Sequence, residues 1–314
     1  MVGDQIREVE RGIHEILKEL RGNPYALETV FIGVIGFAGN AKTLAPLTEL
    51  IDFQAPTLPL GSGTDLGAGL SELMKDMNAS VQRTTAEKKG DWKPLVFLFT
   101  DGAPTADPSK AISEWIEKYK RHCNLTTIIF GERADVELLR KLGENVYRMT
   151  DLSKESFAEF FKWISSSVGM TSMAVANGGE DGAVAPGINL EKAEPGKLDD
   201  NFAIMTFKCP VKKKAYLAKY ENAGKNYNYV GAYPIDEENY KSMSGGSSSN
   251  DIDTNLLNQL PKCPHCGNDE GFIECNQCRG LFCSTNSKIV TCPWCGNSGE
   301  VAYKDNFKIG RNLG

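Results

Sequence analysis

Seven cysteines cluster near the C-terminal end of the chain. Six of them form three Cys-x-x-C pairs, and the full set is Cys263, Cys266, Cys275, Cys278, Cys283, Cys292 and Cys295. A Cys-x-x-C pair places two thiolates on one tight turn, and two such pairs complete the tetrahedral shell that zinc prefers. Gly267 and Gly296 each follow a pair and can adopt the left-handed conformation that a metal-binding turn needs. The spacing therefore predicts a structural zinc module over residues 256–314.

Disulfide bonds are the alternative use of so many cysteines. A disulfide framework is typical of small secreted chains, and the first residues, MVGDQ, do not have the pattern of a targeting segment. Thiolate ligands persist under reducing conditions, so we expect a cytoplasmic protein. No apolar run approaches the roughly eighteen residues of a membrane span.

Seven cysteines are one short of two four-thiolate sites. The eighth ligand could be Cys209, which precedes a proline as Cys263 and Cys292 do, or it could be His265. Lysines at 212–214 would stabilise a thiolate cluster near Cys209. We expect two zinc ions, with Cys209 completing the set. Two arrangements remain open. In one, the Cys263–Cys266 pair and the Cys292–Cys295 pair share an ion, around Cys275, Cys278 and Cys283. In the other, the first two Cys-x-x-C pairs in the chain share an ion.

The N-terminal half alternates helix and strand patterns over residues 1–168. Near-continuous apolar runs, TVFIGVIGF at 29–37 and PLVFLFT at 94–100, suit strands that are buried on both faces. Further strands are predicted at 125–131 and 145–149. Helices are predicted at 4–20, 65–81, 108–119, 134–142 and 155–168. This alternation predicts an α/β fold with a doubly wound, mostly parallel sheet.

The C-terminal half changes composition twice. Residues 169–200 are rich in Gly, Ala, Glu and Pro and are predicted to be a linker, and so is the stretch 242–255 with its SMSGGSSSN segment. Between them, residues 201–241 contain three short strand-like runs and are predicted to form a small β element. The α/β domain is thus expected to be followed by a small β and zinc-ribbon region.

A second group of residues that could do chemistry lies in the α/β domain. Thr64 stands in a glycine-rich loop that opens a helix, and Asp101 directly follows a buried strand. Sites in open parallel sheets form at the carboxyl ends of the strands. A hydroxyl and a carboxylate are oxygen ligands suited to Mg²⁺. The structural alternatives are a threonine helix cap and an Asp-Gly turn.

These segments carry a family resemblance. FLFTDGAPT, GSGTDLGAGL and the order of elements resemble a von Willebrand factor A-type domain, a Rossmann-like fold with a metal-ion-dependent adhesion site. The resemblance implies that Thr64 and Asp101 occupy the second and third parts of that site. Its first part, a D-x-S-x-S loop after a central strand, does not precede the first helix, and we expect to find it upstream of Met1. For this chain we expect a degenerate site that binds Mg²⁺ weakly or not at all.

A narrower resemblance covers nearly the whole chain. The segments FFKWISSSV, FKCPVKKKAYLAKYE, AYPIDEENY, ECNQCRGLFC and TCPWCGN are similar to the TerY family, which is linked with bacterial tellurite resistance. Members of that family resemble adaptors that work beside a protein phosphatase and a protein kinase. The resemblance therefore implies a non-catalytic adaptor with protein partners of those two kinds.

Two other functions are weaker alternatives. An enzyme needs a nucleophile with its base or an acid–base pair, and none of the three histidines, His14, His122 and His265, lies in a catalytic motif. A nucleic-acid reader could use residues 212–214 with Tyr216 and Tyr220, but the net charge of −6 opposes phosphate binding. We therefore expect that the protein is not an enzyme and that it does not bind nucleic acid.

Overall fold

The computed structural model describes residues 4–82, 87, 90–130, 134–149, 151–176, 190–192, 202–244, 250–285, 287–302 and 306–313. The chain divides into two compact units, residues 1–58 with 64–198, and residues 59–63 with 199–314. Among the described residues, no helix is long and apolar enough to cross a bilayer.

The first unit is built from helices and strands that alternate along much of the chain. Its described helices are α1 (Asp4–Arg21), α2 (Pro24–Thr29), α3 (Leu66–Ser80), α4 (Ser109–Lys118), α5 (Val136–Leu142) and α6 (Lys154–Ala176). Its described strands are β1 (Phe31–Phe37), β2 (Ala41–Glu49), β3 (Leu95–Thr100), β4 (Asn124–Phe130), β5 (Asn145–Met149) and β6 (Leu190–Lys192). Aspartates cap two helices: Asp65 accepts from Ala68 N of α3 and Asp135 from Leu138 N of α5.

A four-stranded sheet forms the centre of this unit, in the order β3-β4-β5-β6. The first three strands are parallel, and β6 is antiparallel to β5. Alternate residues of β3 point to opposite faces: Val96 and Leu98 pack with the cluster from α3, α4 and α5, whereas Phe97 and Phe99 pack with the cluster from α1 and α6. This arrangement confirms the predicted α/β class, with a mainly parallel sheet between two helical layers.

The structure corrects the prediction for β1. The apolar run was expected to be a strand buried on both faces of the parallel sheet, but β1 pairs antiparallel with β2 and its first residue, Phe31, is 51% exposed. No described residue pairs with the other edge of β1 or with the outer edge of β3. Ile13 and Ile16 of α1 pack in the apolar clusters of both sheets. A continuous apolar run does not fix strand direction or partner, so the sequence could not distinguish these cases.

Helix α6 continues to Ala176, past the domain end predicted at 168. Strand β6 lies inside the stretch 169–200 that was predicted to be a linker. The rest of that stretch, 177–189 and 193–200, falls outside the described residues, as do 245–249 of the second predicted linker.

The second unit is mainly β structure. Its described elements are β7 (Phe202–Lys208), β8 (Ala215–Asn222), β9 (Tyr227–Pro234), α7 (Glu237–Met243), β10 (Asn250–Asp253), β11 (Phe272–Glu274), β12 (Leu281–Cys283), β13 (Ile289–Thr291), β14 (Ser298–Glu300) and β15 (Lys308–Leu313). Strand β7 pairs with β8 along its length, with β15 near Ala203 and with β12 near Phe207. Segments predicted as a separate β element and a separate ribbon therefore share one sheet.

Candidate functional site

The first cysteine tetrad in the second unit contains Cys209, Cys263, Cys266 and Cys283, whose sulfurs all lie within 4.8 Å of one another. Strand pairing explains half of this set. In the parallel register of β7 and β12, Phe207 is opposite Leu281 and Lys208 is opposite Phe282, which places Cys209 beside Cys283. The Sγ atoms of Cys266 and Cys283 are 3.7 Å apart.

The second tetrad contains Cys275, Cys278, Cys292 and Cys295, again within 4.8 Å of one another. Two sulfur pairs, Cys275 with Cys295 and Cys278 with Cys292, are each separated by 3.7 Å. The two tetrads interleave along the chain, because the Cys275–Cys278 pair lies between Cys266 and Cys283. All nine cysteines of the chain are free thiols.

Neither arrangement inferred from the spacing matches these groups. The pair at Cys263 and Cys266 joins two single cysteines, Cys209 and Cys283, instead of another Cys-x-x-C pair. The other candidate for the eighth ligand, His265, directs its Nε2 to the carbonyl oxygen of Ala215 at 3.0 Å. The grouping depends on β7–β12 pairing between segments far apart in sequence, and local spacing carries no information about that pairing.

Four turns of one design hold the tetrads. In each, the amide four residues after a cysteine donates to the carbonyl of that cysteine, and the amide of the cysteine donates to the carbonyl five residues on. The first set of bonds runs from Lys213, Gly267, Arg279 and Gly296 to Cys209, Cys263, Cys275 and Cys292, at 2.8, 2.9, 2.8 and 3.0 Å. All four donors have positive φ, at 57°, 78°, 58° and 77°. The Cys209 turn thus has the shape of a Cys-x-x-C turn, with Lys212 where the second cysteine would stand.

Electrostatics within the second tetrad favour a bound cation. Burial opposes ionisation of Cys275, but the N–H groups of Cys278 and Gln277 hydrogen-bond to its sulfur and its pKa falls to about 7. Burial and neighbouring thiols of the tetrad raise the pKa of Cys278 to about 12. Adjacent thiols therefore do not all ionise on their own, whereas a metal dication stabilises every thiolate around it.

The geometry of both tetrads fits a tetrahedral metal site. Zinc–sulfur bonds of about 2.3 Å give a tetrahedron with edges of about 3.8 Å, close to the three sulfur–sulfur distances of 3.7 Å. The eight cysteines thus provide two sites, each with four sulfur donors and each capable of holding one metal ion.

The structure also brings together the two loops of the predicted cation site. The amide of Thr64 donates to Thr105 Oγ1 at 2.9 Å, and the amide of Thr105 donates to the Thr64 carbonyl at 3.0 Å. Thr64 Oγ1 lies 3.9 Å from the position that a Cβ on Gly102 would take, so it is close to the turn that follows β3. Asp65, rather than Thr64, caps α3. No motif in the sequence indicated the role of Thr105 in joining the loops.

Two aromatic features of the second unit prove to be structural. Tyr216 and Tyr220, which the weaker nucleic-acid alternative grouped with residues 212–214, are both 0% exposed, so neither can stack on a base. Trp294 packs within the unit: its Nε1 donates to Leu281 O at 2.8 Å, and Lys208 Nζ lies 5.0 Å from its ring centroid.

Comparison with known protein families agrees with this architecture. The von Willebrand factor type A domain matches residues 1–162, and the chain belongs to that family. Residues 199–314 match the TerY-C metal binding domain. The order of the two domains is that of a TerY-like protein, as the sequence predicted. No curated protein matches the chain.

Several solved structures are similar to this chain at low identity. They include proximal thread matrix protein 1 from the mussel byssus, with 15% identity and a TM-score of 0.36 over 52% of this chain and 43% of that one. A von Willebrand factor type A protein from Catenulispora acidiphila has 10% identity and a TM-score of 0.39, and the match covers 75% of this chain and 64% of that one. The ArnB paralog VWA2 from Sulfolobus acidocaldarius has 12% identity and a TM-score of 0.32, and the match covers 74% of this chain and 63% of that one. The chain thus spans less than two thirds of each of these proteins.

Proposed function

We propose that the protein is a non-catalytic adaptor of a tellurite-resistance-type stress pathway and that it binds a protein phosphatase or a protein kinase. Its first unit supplies the partner-binding end, and its second unit is a structural module that holds two zinc ions. The domain order of a von Willebrand factor type A domain followed by a TerY-C metal binding domain supports this proposal.

The observation that carries the proposal is the joining of two loops at the carboxyl end of β3. Reciprocal hydrogen bonds between Thr64 and Thr105 fix these loops against each other, so they present one surface. Asp101 lies on that surface, directly after β3. A carboxylate beside fixed hydroxyl and amide groups is suited to recognising a polar partner surface, directly or through a cation.

The surroundings of the three histidines support a non-catalytic role. His14 and His122 are exposed at the surface of helical segments, and the His265 ring is engaged with the Ala215 carbonyl. The two cysteine tetrads have all four donors on protein, which leaves no open coordination position of the kind that catalytic zinc requires. These features support a binding role.

A binding experiment tests the proposed surface. The full chain is immobilised in Mg²⁺ buffer, and retained protein phosphatase and protein kinase activities are measured after incubation with a bacterial extract. We expect Asp101→Ala to retain at least several-fold less of one activity, because it removes the carboxylate of the joined loops. Glu117→Ala, which removes an exposed carboxylate on α4, should match the wild type.

The same experiment in chelator separates two modes of contact. A cation-bridged contact loses its dependence on Asp101 when Mg²⁺ is removed, whereas a direct contact keeps it. Equal retention by Asp101→Ala and wild type in both buffers would contradict binding through this end of the first unit.

A further inference from the structure

A buried aromatic residue of β8 shares an apolar cluster with three cysteines of the first tetrad, Cys209, Cys263 and Cys283. Tyr216 is 0% exposed, and its ring stacks on Phe207 with centroids 5.2 Å apart and an interplanar angle of 14°. The ring of His265, which lies between Cys263 and Cys266 in sequence, meets Tyr216 edge-on at 5.9 Å. These two contacts fix the orientation of the phenol beside the cysteines.

The hydroxyl group of Tyr216 is the polar atom that this packing leaves unexplained. It is fully buried and makes no hydrogen bond of regular geometry in the described part of the chain. Tyr216 nevertheless belongs to the same buried cluster as Cys263 and Cys283 of the tetrad. Buried hydroxyls without a partner are rare in folded proteins, so this one points to a group that is incomplete without its ligand.

Backbone amides donate hydrogen bonds to other sulfurs of the first tetrad. Lys212 N donates to Cys209 Sγ at 3.4 Å, the amides of Cys266 and His265 hydrogen-bond to Cys263, and the amide of Asn268 hydrogen-bonds to Cys266. Four thiolates around a dication carry a net charge of about −2, and hydrogen-bond donors in the surrounding shell delocalise that charge and hold the ligands in place.

We propose that the Tyr216 hydroxyl donates a hydrogen bond to the metal-bound thiolate of Cys263 and that Tyr216 is a positioning residue that slows the loss of the metal from the first tetrad. This inference rests on the proposed occupancy of the tetrad by zinc. Tyr216 shares its apolar cluster with cysteines of the first tetrad, whereas Cys275 and Cys292 of the second tetrad lie in another cluster, so we expect its effect to be confined to the first tetrad.

Tyr220 provides a matched control on the same strand. It is also 0% exposed and lies two positions along the same face of β8. Its hydroxyl already has a backbone partner, donating to Gln259 O at 3.0 Å, and its ring neighbour is Tyr229 rather than a cysteine turn. Tyr216→Phe and Tyr220→Phe therefore each remove one buried hydroxyl from the same sheet, but Tyr216→Phe alone removes it from the neighbourhood of the metal.

The test is the rate of zinc transfer from the full-length, zinc-loaded protein to the chromophoric chelator 4-(2-pyridylazo)resorcinol. We expect Tyr216→Phe to release one of its two zinc ions about tenfold faster than wild type, since a hydrogen bond to a charged group is lost. Tyr220→Phe should release both ions at the wild-type rates, although its melting temperature falls. In cobalt-substituted protein, the sulfur-to-cobalt charge-transfer band should shift in Tyr216→Phe and stay unchanged in Tyr220→Phe.

A hydroxyl without a partner in the zinc-loaded protein gives the opposite result. If the hydroxyl is merely buried without a partner, Tyr216→Phe removes an unfavourable group, so its zinc release is unchanged and its melting temperature stays level or rises. That result overturns the inference about Tyr216 while wild-type protein still contains two zinc ions. Absence of zinc from the wild-type protein would instead overturn the proposed metal content itself.

Discussion

At the residue scale, the informative features are the four turns that hold the tetrads. Three of the four were visible in the sequence as Cys-x-x-C pairs. Two of the four turns have glycine at the position of positive φ. The remaining two have Lys213 and Arg279 at that position, where a non-glycine residue is unusual. Because the glycine is missing, and because Lys212 replaces the second cysteine, the sequence did not identify the segment after Cys209 as a metal-binding turn, even though it suggested Cys209 as a ligand.

Removing one cysteine ligand should abolish metal binding at one tetrad and leave the other tetrad intact. We expect wild-type protein to contain two zinc ions and Cys292→Ser to contain one, because the second tetrad loses a donor while the first shares none of its cysteines. Cys123→Ser is the control, since Cys123 is buried in the first unit far along the chain from both tetrads. Elemental analysis of protein that has never met a chelator measures the count. Two zinc ions in Cys292→Ser, or fewer than one in wild type, would contradict this assignment.

At the scale of elements, the helices were predicted more accurately than the strand pairing. The apolar spacing of α1 and α3 defined them to within one residue at most ends, because the 3.6-residue period is a local signal. Strand β2 was missed, since AKTLAPLTE contains a proline and lacks a regular alternation. The antiparallel β1–β2 pairing could not be predicted, because it depends on which edges are available in the folded unit.

The packing of α1 against α6 provides an element-scale prediction. A methyl group at Gly12 of α1 would overlap the ring of Phe161, which is buried in α6 and cannot move into solvent. We expect Gly12→Ala to lower the free energy of unfolding of the first unit by about 1–3 kcal/mol. In Gly169→Ala on α6, the added methyl meets only the Asn23 side-chain nitrogen, at 3.3 Å, and the better helix propensity of alanine should leave stability level or higher.

Thermal unfolding followed by circular dichroism at 222 nm measures both variants, since the first unit contributes all but one of the described α-helices. Equal midpoints for Gly12→Ala and Gly169→Ala would show that the two helices do not pack as described.

At the scale of the whole molecule, the sequence indicated the change from an α/β region to a cysteine-rich region, but it divided the second region too finely. The predicted β element at 201–241 and the predicted ribbon at 256–314 share the sheet centred on β7, and β10 lies within the stretch 242–255 that was predicted to be a linker. Low hydrophobicity and serine-rich composition are local properties. They do not reveal that the segments on either side supply neighbouring strands and that Cys209 and Cys283 meet through them.

Metal removal should therefore affect the two units differently. The first tetrad is part of the apolar core of the second unit, with Cys209, Cys263 and Cys283 all buried in it, and loss of the ion leaves adjacent buried thiols without a counter-charge. We expect a strong zinc chelator to unfold the second unit, because a structural zinc site supplies folding free energy to its module. The first unit contains no tetrad cysteine, so α1–α6 should remain folded.

Limited trypsin digestion of the full chain checks this expectation. Chelated protein should be cut rapidly within residues 202–313 and should leave a protected N-terminal fragment that keeps most of the 222 nm signal of the intact chain. Zinc-saturated chelator is the control and should leave residues 202–313 uncut, and adding zinc back before trypsin should restore this protection. Loss of the helical signal together with the second unit would show that the first unit depends on the metal, whereas resistance to trypsin after complete zinc removal would show that the ions are not structural.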